Sequence, residues 1–130
     1  MILTSTEIQH YIPQRYPFVM VDNLLELISN HFKTDFTIMP DNIFVEDGFF
    51  REFGLIENIA QSSAAGIAFS RNYNGKTKPD GYIGAITKLK LFALPEVHDT
   101  IVTHIDLLFQ FENMFLLKGQ NYGKGKRLLE

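Results

Sequence analysis

Glu57 is the acidic side chain best placed for chemistry, because it stands in the largely apolar run Gly54-Leu55-Ile56-Glu57-Asn58-Ile59-Ala60-Gln61. A carboxylate held in such a run can give a proton to a bound substrate or take one from it. Gln61 lies one helical turn later, where its amide can hydrogen-bond the carboxylate and fix its rotamer. Gly54 lets a backbone amide approach a ligand, and with Leu55 it opens the helix, so a substrate carbonyl can rest against the positive helix end. The plainer alternative is a first-turn carboxylate that offsets the helix dipole, beside a glycine that a tight turn requires.

Other reactive groups are scattered. The four histidines are His10, His31, His98 and His104. His104 and Asp106 share a strand face at a spacing of two, which can orient an imidazole or, weakly, recruit a metal; a solvated polar face is the competing reading. Glu46 and Asp47 form a carboxylate pair ahead of the helix that can act as a base or simply be solvated. Phe44, Phe49, Phe50 and Phe53 cluster there too, and they suit a tunnel for an apolar ligand as well as they suit a core or a dimer contact. Arg71, Lys76, Lys78, Lys88 and Lys90 offer positive charge to an acidic partner or a phosphate, or form an ordinary soluble surface.

The elements that must position these groups follow from periodicity. Thr4-Ser5-Thr6-Glu7 has capping-box spacing and predicts a short helix ending near Tyr11. Pro13 and Pro17 impose extended backbone on the residues before them. Residues 18–38 read as two paired strands, with Phe32, Thr34, Phe36 and Ile38 on one face and His31, Lys33 and Asp35 on the other. Pro40-Asp41-Asn42 marks a turn, and the aromatic residues 43–53 have no clear period. Residues 54–70 carry apolar and small side chains at helical spacing and predict the one long helix, close against a curved sheet. A polar loop at 72–81 precedes further strands. Ile83, Ala85, Thr87, Leu89, Leu91 and Ala93 share a face opposite Lys88 and Lys90. Ile101, Thr103, Ile105, Leu107, Phe109 and Phe111 share another, opposite His104, Asp106, Gln110 and Glu112. Residues 115–122 form a last segment. Short helix, strands, long helix and strands make an α+β chain with an antiparallel sheet around one central helix.

With 130 residues and 45% hydrophobic content, the chain predicts one domain spanning residues 1–130. Its formal charge of −3 gives no global attraction to nucleic acid. No apolar run approaches the roughly 20 residues of a membrane span. The absence of Cys removes disulfides, thiolate ligands and a cysteine nucleophile. With no basic, apolar leader at its start, the chain is expected to be cytoplasmic. It holds no Gly-rich phosphate loop, nucleophile elbow or spaced metal set, so neither cofactor nor metal is expected.

Two signatures carry a family resemblance. Ile12-Pro13-Gln14-Arg15-Tyr16-Pro17-Phe18-Val19-Met20-Val21-Asp22 resembles the Ile-Pro-His-Arg-Tyr-Pro-Phe-Leu-Leu-Val-Asp segment of 3-hydroxyacyl-[acyl carrier protein] dehydratases. The run from Gly54 to Gln61 resembles the start of that family's central helix. Gly81-Tyr82-Ile83-Gly84-Ala85-Ile86 is similar to its strand after the helix, and Leu94-Pro95-Glu96-Val97-His98-Asp99 to its Pro-Gly-Asp corner. The resemblance implies a hotdog fold, an antiparallel sheet wrapped around one long central helix. It also implies an acyl carrier protein or coenzyme A thioester as substrate and at least a homodimer, with an exposed strand edge as the pairing surface.

In that family a histidine moves the C2 proton, a helix Glu or Asp handles the hydroxyl, and amides near the helix start hold the thioester carbonyl. Glu57 stands at the acid's position, with Gly54, Leu55, Gln61, Phe49, Phe50 and Phe53 expected around the substrate. This chain departs from the pattern in two places. Gln14 replaces the motif's His, and the stretch between Asn42 and Glu57 is several residues shorter than the family's and contains no His. The departure leaves open a noncatalytic acyl-binding or partner subunit that takes its histidine from a homologous chain. A third reading is a thioesterase, which needs only one helix carboxylate.

Overall fold

A computed structural model describes residues 1–71, 86, 88–112 and 114–130. The expected loop at 72–81, most of the Gly81 to Ile86 strand, Thr87, Lys76 and Lys78 lie outside the described residues. The first helix, α1 (Ser5–Ile8), begins at the expected capping box: Thr4 Oγ1 accepts from the Glu7 amide and Glu7 Oε1 accepts from the Thr4 amide. A 3-10 turn, Gln9–Tyr11, extends it to the expected end. Tyr16-Pro17 is a cis peptide in a turn closed by the Phe18 amide on the Arg15 carbonyl.

Residues 18–22 belong to no strand, so the first strand starts later than the pattern predicts. β1 (Asn23–Ile28) and β2 (His31–Thr37) then form an antiparallel pair. Phe32, Thr34, Phe36 and Ile38 are buried, as the alternation requires. The aperiodic aromatic stretch is a small hairpin of β3 (Val45–Glu46) and β4 (Phe49–Phe50). Its two-residue link, Asp47-Gly48, has φ of 54° and 82°, the paired positive values that tight hairpins need.

The long helix α2 (Glu52–Ser70) starts two residues before Gly54, with Arg51 at the N-cap. Glu57 therefore lies in the second turn, not the first. The small residues serve close approach to the sheet: a Cβ on Gly66 would sit 2.3 Å from the Phe32 ring. β5 (Thr100–Phe111), β6 (Met114–Gly123) and β7 (Lys126–Leu129) complete an antiparallel sheet in the order β1-β2-β5-β6-β7. Beyond β7, Lys90 and Glu130 exchange backbone hydrogen bonds at 3.0 and 3.1 Å, and the Phe92 amide reaches the Leu128 carbonyl at 2.8 Å. This antiparallel sheet with one helix on its inner face is the hotdog arrangement.

One strand face differs from its alternation. A β-bulge between Leu107 and Phe109 pairs Leu107 with Leu117 but Phe109 with Leu116. Because an extra residue swaps the faces of everything after it, Phe109 and Phe111 join the outer face of His104 and Asp106. Gln110 turns instead to the helix side, where its partner Phe115 packs against the core and its Oε1 accepts from Arg71.

Candidate functional site

Glu57 is half-buried, and its partner Gln61 is only 1% exposed. Gln61 Nε2 donates to Glu57 Oε2 at 3.0 Å and to the Phe18 carbonyl at 2.9 Å, while its Oε1 accepts from the Met20 amide at 2.6 Å. These partners fix the amide's orientation, since a flipped group would set its NH2 against an N–H and its oxygen against two acceptors. Asn58 adds a bond from Nδ2 to the Met20 carbonyl at 2.7 Å. Two helix side chains thus bond backbone groups at Phe18 and Met20, just ahead of β1. They also bring the two signature segments together. Oε2 is engaged by Gln61, and Oε1 has no hydrogen-bond partner among the described residues.

The helix start is arranged otherwise than expected. The Gly54 and Leu55 amides both bond the Arg51 carbonyl, at 3.0 and 3.3 Å, so they are spent within the chain rather than offered to a substrate carbonyl. Gly54 is required by packing, since a Cβ there would lie 2.3 Å from Phe50 Cζ. Leu55 is fully buried, and its carbonyl accepts from Asn121 Nδ2 at 3.2 Å.

The four phenylalanines separate. Phe50 is fully buried, with its ring 5.8 Å from that of Phe36, so it belongs to the core. Phe49 is partly exposed and bridges Glu96, while Phe53 is 72% exposed. Phe44 and Phe53 line a cleft of about 270 Å³ with Ile43, Val45, Glu46 and Arg51. The cleft is mainly apolar, but neither Glu57 nor Gln61 lines it.

A buried polar layer beside Glu57 is the feature that pattern reading misses. Asn58 Oδ1 accepts from Thr103 Oγ1, and Thr34 Oγ1 lies 2.7 Å from Ser62 Oγ. Thr34, Asn58, Ser62, Thr103 and Asn121 are all completely buried. The available signal was threonine on otherwise apolar strand faces, opposite Asn58 and Ser62 on the helix.

No histidine joins Glu57. Asp106 Oδ1 pairs at 2.8 Å with Nδ1 of its cross-strand neighbour His31, not with His104. His31 Nε2 in turn meets His104 Nδ1 at 3.2 Å. Burial, then the charges of His31 and Lys33, hold His104 below the usual histidine range. This row lies on the outer face of the sheet, with α2 on the other side. His98 occupies a corner with φ of 75°, and His10 lies in the 3-10 turn. Glu46 is exposed and Asp47 forms the hairpin link. Among the described residues no group of three or more His, Asp or Glu could hold a metal ion.

Comparisons with known proteins agree with this arrangement. A 3-hydroxyacyl-[acyl-carrier-protein] dehydratase FabZ from Enterococcus faecalis is 28% identical over 140 aligned residues, covering 100% of this chain and 94% of its own. The corresponding Clostridium botulinum enzyme is 31% identical over 111 residues, covering 81% and 75%. A solved structure, the dehydratase heterocomplex ApeI:P from Xenorhabdus doucetiae, superposes with a TM-score of 0.75 at 19% identity, over 94% of this chain and 84% of that one. The family model described as ApeP dehydratase matches residues 6–121, and the chain belongs to the ApeP-like dehydratase family.

Proposed function

We propose that this single-domain protein works in the cytoplasm on 3-hydroxyacyl and 2-enoyl thioesters of acyl carrier protein or coenzyme A, in fatty-acid-type or polyketide-type biosynthesis. Glu57 is the acid/base at the hydroxyl. In the dehydration direction a base removes the C2 proton, the electrons form the C2–C3 double bond, and Glu57 Oε1 protonates the leaving hydroxyl as water. Hydration reverses each transfer. The observation that carries this reading is the fixed Gln61 amide, which holds one carboxylate oxygen and leaves the other for a proton.

The C2 base comes from another subunit. His31 and His104 are separated from Glu57 by the sheet, and the Glu46-Asp47 pair is accounted for by a hairpin. A likeness to one chain of a two-component dehydratase makes a histidine-bearing homologous subunit the natural source.

The test is an assay of wild type and Glu57→Gln on a 2-enoyl thioester, following enoyl absorbance and free thiol together. Hydration without thiol release, lost in the variant, is expected of a chain whose own dimer supplies the base. Thiol release would replace this reading with a thioesterase. Inactivity of the isolated folded chain points to the partner-dependent form.

A further inference from the structure

His31 and His104 turn toward each other on the outer face of the sheet, away from Glu57. The β2–β5 register sets His31 opposite Asp106 and Lys33 opposite His104, so the two imidazoles are diagonal neighbours on adjacent strands. Their ring centroids lie 5.3 Å apart, and His31 Nε2 faces His104 Nδ1 at 3.2 Å. A carboxylate only accepts hydrogen bonds, so the 2.8 Å contact with Asp106 Oδ1 makes His31 Nδ1 the protonated nitrogen and leaves a lone pair on Nε2 of the neutral ring. On the far side of the pair, the Tyr122 ring packs edge-on against His104 at 5.7 Å and restrains its plane. Both histidines stay partly open to solvent.

We infer that this pair binds a divalent first-row transition-metal ion through His31 Nε2 and His104 Nδ1, with water in the remaining positions. The gap between the two nitrogens fits: metal–nitrogen bonds of about 2.0–2.1 Å that span 3.2 Å meet at roughly 100°, between the square-planar and tetrahedral angles. Asp106 stands behind His31 as a carboxylate stands behind many ligating imidazoles, where it fixes the tautomer and raises the basicity of the other nitrogen. To bind, His104 takes its other tautomer: the Nδ1 proton is exchanged through water for one on Nε2, which has no hydrogen-bond partner among the described residues, and no net proton is released. Both ligands stand on paired strands, which hold a site more precisely than loops do. The charges nearby balance, Lys33 and Lys118 against Glu26 and Asp106, so the selection rests on imidazole chemistry. That chemistry suits copper, nickel and zinc and leaves out magnesium and calcium, which want oxygen ligands. The site lies across the sheet from Glu57 and does not depend on the proposed catalysis.

Titration of the full chain with Cu²⁺ alone, in a buffer that does not bind copper, tests the inference; Cu²⁺ stands highest in the affinity order of the divalent ions. Wild type is expected to take up a single tight ion per chain, whose electron paramagnetic resonance spectrum shows coupling to two imidazole nitrogens. A carboxylate behind a ligating imidazole is worth about 10–100-fold in metal affinity, so Asp106→Ala should weaken binding about tenfold, and loss of a ligand in His31→Gln or His104→Gln should weaken it further. His10→Gln with His98→Gln should leave the tight site unchanged. Circular dichroism checks that each variant folds, and if one histidine variant does not, the other serves in its place. A wild type that takes up only several weak ions, a spectrum without two imidazole nitrogens, or an affinity unchanged in the folded histidine and Asp106 variants would overturn the inference and leave the pair as a cross-strand hydrogen bond. Loss of the tight ion in the His10 and His98 variant would overturn it too, by assigning the ion elsewhere.

Discussion

Gln61 concentrates more of the site's geometry than any other side chain, because one buried amide joins the carboxylate to two backbone groups of the first signature. Gln61→Ala leaves the Met20 amide and the Phe18 carbonyl without those partners. At about 1–3 kcal/mol for each orphaned buried group, a denaturant titration should show a loss of about 2–6 kcal/mol. A loss below about 1 kcal/mol would mean that water replaces the amide freely. Asp22, the last residue of that signature, is held above the usual aspartate range, first by burial and also by the charge of Asp35, against a lowering bond from the Thr37 amide. The folded state therefore binds this proton more tightly than the unfolded chain. Its contribution to stability is complete below the ordinary aspartate value of about 3.9 and is lost as pH rises through the raised folded value. Asp22→Asn keeps an acceptor for Thr37 without the charge, so its Tm should gain on wild type between pH 4 and pH 7. A Tm difference that stays constant over that range would show that the charge does not matter. The sequence exposed Glu57 and Gln61 as a pair because their spacing is local. It could not show that Gln61 also reaches Phe18 and Met20, since those contacts depend on a tertiary approach across some forty residues.

At the scale of elements, helix-to-sheet distance is set by small residues. Gly66→Ala gains about 1 kcal/mol of helix propensity, but its Cβ would lie 2.3 Å from Phe32 Cδ2, inside the van der Waals limit. Overpacking costs about 1–3 kcal/mol, so the net change should be destabilising, and Phe32→Leu in the same chain should recover part of it. A stabilised Gly66→Ala in thermal melts would show that the Phe32 ring moves at little cost. The capping box, the β2 alternation and the small-residue helix were legible because each is a local pattern with one physical cause. The bulge was not legible. Leu107, Leu108, Phe109 and Phe111 are apolar at both parities, so a strict period and a one-residue slip fit equally well until Leu116 and Leu117 choose the register. The Asp47-Gly48 hairpin carries a local signal, since Asp-Gly is a strong turn pair, but its strands of two residues each are too short to show a period.

For the whole molecule, the sheet itself decides which groups can cooperate. It carries its histidine row on the outer face and Glu57 on the helix against the inner face, so under the proposed two-group reaction the missing base is to be sought across a subunit boundary. Complementation tests this directly. Co-expression with a histidine-bearing homologous dehydratase subunit, whose own helix carboxylate is replaced by an amide, leaves Glu57 as the acid that can pair with the partner's histidine. Such a complex should hydrate a 2-enoyl thioester, and Glu57→Gln in this chain should lower the rate by about 10²–10⁴, the usual worth of a positioned acid or base. Stable assembly without activity would leave this chain as a structural partner. Activity that survives Glu57→Gln would place the acid in the partner and remove this carboxylate from the mechanism.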